Sequence, residues 1–135
     1  MAATVSEAAD AIKTALRAVP GLRVYDYVPD TVNTPMAMLA LEEAIYHRAF
    51  GGGDVNYRFL VTVLVGRTSE RQAQSRLDDF MSYSGAQSIR QAVENDAAWK
   101  KCVQTLVVER GGNLQPITIN DVTYLSVDFT VLVHA

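Results

Sequence analysis

The chain has 135 residues, 49% of them hydrophobic and 20% charged, with a net charge of −3. That length suits one domain burying roughly two thirds of its unfolded surface, and the composition excludes a disordered chain. No apolar run approaches the ~20 residues of a membrane helix, and an acidic chain with scattered Lys and Arg is ill suited to gripping nucleic-acid phosphates.

The N-terminal stretch MAATVSEAADAIKTALRAV lacks a basic start followed by an apolar block, so it does not read as a secretion signal. Instead it predicts a helix over about Thr4–Ala18, with Val5, Ala8, Ala9, Ile12 and Leu16 on one stripe. Acidic Glu7 and Asp10 come early and basic Lys13 and Arg17 late, as the helix dipole favours. Pro20-Gly21 ends it, and short strands follow at Leu22–Val28 and Met36–Leu41.

Residues Glu42–Asn56 carry apolar Ile45, Tyr46 and Phe50 but also Gly51-Gly52-Gly53, and read either as a loop or as a projecting hairpin. Tyr57–Val65 alternates clearly. Tyr57, Phe59, Val61, Val63 and Val65 share one face, and the other face is apolar enough to predict a central strand covered on both sides. Ser69 with Gln72 matches a capping box, predicting a helix from Ser69 that buries Ala73, Leu77, Phe80 and Met81. After the break at Ser84-Gly85, a shorter helix spans about Gln87–Asn95, burying Ile89, Ala92 and Val93. Two strands close the chain, Cys102–Arg110 and Val122–His134, with Gly111-Gly112-Asn113 as a turn signal between them. The order α-β-β-β-α-α-β-β predicts an α+β fold in one domain over residues 1–135, with an antiparallel or mixed sheet of about four to five strands on two to three helices.

Motifs that carry chemistry are scarce. His47 and His134 stand in different elements without metal-ligand spacing, so no metal site is expected. Asp78 and Asp79 are adjacent on a helix and splay about 100° apart, which suits solvent better than a shared substrate. The lone Cys102 excludes a disulfide framework within the chain, fits a reducing compartment, and has no base placed beside it. Gly51-Gly52-Gly53-Asp54 lacks the lysine and hydroxyl of a phosphate loop. Lys100-Lys101 reads as a charged lip before a strand, and Trp99 as a core or interface anchor. No catalytic residue and no cofactor is expected, although a site assembled from dispersed residues would leave no trace in the sequence.

Two stretches resemble a known family: Phe59–Asp96 and Val122–Ala135. The first has Val61, Val63, Val65, Gly66 and Arg67, then Gln74, Leu77, Asp78 and Phe80, then Ser84-Gly85. It continues with Ser88, Ile89, Arg90, Ala92, Val93 and Glu94. The second has Tyr124, Leu125, Val127, Asp128, Phe129 and Val131. The pattern is similar to the tail terminator proteins of long, flexible-tailed phages, especially those infecting actinobacteria.

The resemblance implies a non-enzymatic virion protein, assembled in the host cytoplasm and placed at the head-proximal end of the tail. It implies a homohexameric ring that caps the tail-tube protein, stops its polymerisation and meets the head connector or stopper. Genomic DNA would pass through the lumen without specific binding, and no membrane is involved. Ile45, Tyr46 and Phe50 are candidate interface residues that meet a neighbouring subunit or the tube; covering the domain's own sheet is the alternative. Another joining protein, such as a stopper or tube subunit, is the nearest competing function. A peptide-binding adaptor domain and a small α+β enzyme with a dispersed site are more distant ones.

Overall fold

Thr4 and Glu7 start the first helix by capping each other. In this computed structural model, which describes residues 4–25, 34–46, 55–68, 71–96, 99, 103 and 105–134, the Thr4 side chain accepts from the Glu7 N–H at 3.2 Å. Glu7 Oε1 in turn accepts from the Thr4 N–H at 3.2 Å. Helix α1, Val5–Leu16, then buries Ala8, Ala11, Ile12, Ala15 and Leu16, while Val5 and Ala9 are only half-buried. The chain turns through Gly21, whose φ of 79° suits glycine.

Five strands form one mixed sheet: β1 (Arg23–Tyr25), β2 (Met36–Tyr46), β3 (Val55–Arg67), β4 (Thr105–Ile119) and β5 (Val122–His134). Their order is β1-β2-β3-β5-β4, with β1 parallel to β2 and every other pair antiparallel. Helices α2 (Ala73–Met81) and α3 (Ile89–Asn95) intervene between β3 and β4, so the element order is the α-β-β-β-α-α-β-β expected for this α+β chain.

The core lies between the helices and one face of the sheet. Tyr57, Phe59, Val61, Val63 and Val65 of β3 join Val127, Phe129, Val131 and Val133 of β5 there. Residues from α1, α2 and α3 complete the same cluster. The opposite face carries no helix in the described part of the fold, which corrects the expectation that β3 is covered on both sides. Of the β3 residues Arg58, Leu60, Thr62 and Leu64 that face it, Leu64 alone is fully buried, in a small cluster with Met36 and Tyr124, whereas the other three stay half-buried. Alternation left that face apolar enough to suggest a cover, but neighbouring strands supply the shielding, through Met38, Ile117, Ile119 and Val122.

Other expectations shift in detail. Glu42–Tyr46 extend β2 and Val55–Asn56 begin β3, with Tyr46 opposite Val55, so these residues are the arms of a hairpin; 47–54 lie outside the described residues. Helix α2 begins at Ala73, with Gln72 at the N-cap and no side-chain cap bond, rather than at Ser69, which is outside the described residues. Met81, expected in the core, is the last residue of that helix and is 37% exposed, at the rim beside Gly111 and Phe129. Gly111-Gly112-Asn113 is no turn. Gly111 and Gly112 pair within the ladder opposite Phe129 and Asp128, and Asn113 sits in a bulge between Gly112 and Gln115. The reversal comes later, at Asn120-Asp121, whose φ values of 51° and 65° form the two-residue turn that matches strand twist.

Candidate assembly surface

The residues expected to face a partner sit on the β2–β3 hairpin. Side chains alternate along β2, so consecutive residues point to opposite faces. Ile45 pairs with Asn56 and turns to the uncovered face, half-buried. Tyr46 pairs with Val55, turns the other way, and is 65% exposed. The two therefore share a strand without forming one patch, and Phe50 lies outside the described residues.

On the uncovered face, Ile45 is one wall of a shallow groove with a volume of about 140 Å³. Arg58, Val107, Leu132 and His134 also line it. Arg58 Nη1 stands 3.4 Å from Glu43 Oε1 across the β2–β3 pair, while its Nε is buried without a hydrogen-bond partner. Both side chains of that pair are well over a third exposed, so solvent screening leaves it little energetic weight.

Further along the same face, Asp128 ties three strands together. Thr62 Oγ1 donates to one carboxylate oxygen at 2.9 Å, and Asn113 Nδ2 donates to the other at 2.6 Å. Asn113 is held in the left-handed region, φ 55°, so the carboxylate secures the bulge as well as the β3–β5 pair.

The corner between α2 and α3 is built from side chains that bond to backbone. Gly85, with φ 122°, breaks the chain direction, and its N–H donates to Gln91 Oε1 at 3.0 Å. Ser88 is fully buried; it caps α3 by accepting from the Gln91 N–H and donates its own proton to the Ser82 carbonyl. Arg90 Nε donates to the Tyr83 carbonyl at 2.8 Å, and its guanidinium stacks 3.5 Å above the Tyr83 ring. Glu94, one turn further on, holds the same guanidinium at 3.3 Å. Exposed Tyr83 is thus fixed in place by an arginine that is itself fixed.

Among the described residues, chemically reactive groups stay apart. Among the described residues no three His, Cys, Asp or Glu side chains come together as a metal ion would need, and no helix is long and apolar enough to cross a membrane. Asp78 accepts from Gln74 on its own helix, and Asp79 is exposed. Trp99 packs against the main core. His47, Gly51–Asp54, Lys100, Lys101 and Cys102 are outside the described residues.

No family model matches the chain, and a search of curated proteins finds no match either.

Among the described residues, Tyr57 titrates away from the ordinary tyrosine range. Burial raises its phenol above the usual tyrosine range, and the nearby Tyr46 and Glu7 raise it further. The folded protein keeps this proton where the unfolded chain releases it. Its contribution to stability is therefore complete below about pH 10 and is lost as pH rises through the folded value. Melting temperatures measured from pH 8.5 to 11.5 are expected to fall more steeply for the wild type than for Tyr57→Phe. Parallel curves would refute the assignment.

The sequence flagged Ile45 and Tyr46 by their polarity but missed three features that shape this surface. Thr4-x-x-Glu7 and Asn120-Asp121 are recognisable local signals. The Asp128 bridge joins residues up to 66 positions apart, and no local spacing announces it.

Proposed function

We propose that the chain is a structural protein of a long-tailed phage: a tail terminator that assembles with copies of itself into a ring, hexameric by the resemblance, on the end of the tail tube. There it would stop tube polymerisation and offer a surface to the head connector, with DNA passing through the hole. The reading starts from the resemblance over Phe59–Asp96 and Val122–Ala135.

The observation that carries it is how the resembling residues are used. Ser88, Arg90 and Glu94 brace one corner of the fold, and Asp128 joins three strands. A pattern spent on shape is what a protein acting through its surfaces would carry. A ring of small domains needs head-to-tail contacts that close after a fixed rotation. Exposed Tyr46 and Leu41 on the β2 side, and exposed Tyr83 and Met81 by β4, supply different apolar material at different places on the surface. The wall around the DNA is expected to be polar without a continuous ring of Lys and Arg, since tight phosphate binding would hinder passage.

Native mass spectrometry with negative-stain imaging tests the ring. A closed hexamer is expected, alone or on tube ends; a chain that stays monomeric in the presence of tubes would overturn the reading.

A further inference from the structure

One strand is guarded against added strands along most of its length and bare at its start. β4 is the last strand of the sheet, and among the described residues its ladder partner is β5 alone. Alternate residues of such an edge turn N–H and C=O groups outward, where another strand can take them. No main-chain hydrogen bond outside the ladder reaches Thr105–Val108 among the described residues.

Natural sheets blunt exposed edges with charges, bulges and proline. From Glu109 onward β4 has all three. Glu109 and Arg110 are charged, the register shifts between Val108 and Arg110 and again between Gly112 and Gln115, and Pro116 has no N–H to offer. The four residues before them have none of these. Thr105, Leu106, Val107 and Val108 are uncharged, pair in unbroken register with His134, Val133, Leu132 and Val131, and leave Val107 40% exposed. Val107 also lines the groove of the uncovered face, beside Leu132 of the adjoining strand.

We propose that Thr105–Val108 is a pairing edge that accepts an extended, uncharged strand from a second copy of this chain. The identity of the partner rests on the ring reading above. In a ring each copy meets the next through two different surfaces, so the incoming strand is not the neighbour's own Thr105–Val108, which would close a two-fold dimer instead.

Val107→Lys and Thr105→Lys each put a charge on the bare stretch at an exposed position, and Leu114→Lys puts the same charge on the guarded stretch. Native mass spectrometry of the full-length variants, with amide hydrogen exchange across β4, reads the effect. Wild type and Leu114→Lys are expected to form the same oligomer, with exchange at 105–108 slowed at least tenfold on assembly. Both bare-stretch variants are expected to remain monomeric and folded, with fast exchange there; should one misfold, the other decides. The proposal is overturned if the folded bare-stretch variants assemble like wild type, or if wild type is monomeric. It is equally overturned if exchange at 105–108 is as fast in the oligomer as in the monomer. An edge-dependent oligomer that is not a tube-capping ring would defeat the terminator reading alone. A tube-capping ring indifferent to all three substitutions would defeat this proposal alone.

Discussion

Phe59→Ala is expected to lower the stability of the fold by about 3–5 kcal/mol, the range for removing a buried aromatic and leaving a cavity. Phe59 is 1% exposed in the central strand, between Leu41 of β2 and Val131 of β5. Its ring meets Tyr57 edge-on, centroids 6.1 Å apart, and the surrounding strands and helices are too constrained to collapse into the space. Since a domain of this size is stable by only about 5–15 kcal/mol, the variant should unfold at much lower urea. Leu60→Ala, one residue along on the half-buried face, is expected to cost clearly less. Equal midpoints for the two variants would contradict the assignment of the core to the helix-covered face.

Gly111→Ala is expected to cost about 1–3 kcal/mol, as forcing extra volume into a packed site does. A Cβ at this position would lie 2.8 Å from Phe129 Cε1 and 3.0 Å from its Cδ1, with Met81 Cε at 3.5 Å. The Phe129 ring is 3% exposed and wedged in the core, so it cannot swing aside. At Gly112 the nearest atom is an end nitrogen of Arg110, 3.3 Å away on a flexible side chain. Gly112→Ala should therefore stay within roughly 0.5 kcal/mol of wild type. The pair of melts separates a steric need for glycine from a general dislike of change in this bulged segment.

The two glycines also show why part of the fold could be read from sequence and part could not. Strands β3 and β5 bury every second side chain on the covered face, so period-two patterning located them, and the N-terminal helix announced itself by its apolar stripe. Gly-Gly-Asn reads as a turn because glycine and asparagine tolerate unusual backbone angles. In this chain that tolerance serves two other ends, room for the Phe129 ring and a bulge held by Asp128. The true reversal is nine residues after Gly111, at Asn120-Asp121, where two consecutive residues take positive φ. Whether β3 is covered once or twice depends on which neighbours lie over it, and a strand's own residues do not encode that.

The surface was less legible than the core. Ile45 and Tyr46 are adjacent in sequence and apolar, which suggested one sticky arm. A strand places neighbours on opposite faces, so the two belong to different surfaces. The bare start of β4 emerged only when pairing showed where bulges and proline fall along an edge.

We propose that this chain acts by the shape it presents to identical subunits and to a tail tube, and measuring tail length after deleting its gene from a phage that encodes it tests that proposal most directly. Electron micrographs of the lysate are expected to show overlong, headless tubes, with normal length and head attachment restored by supplying the protein in trans. Tubes of normal length joined to heads, or no tubes at all, would contradict it.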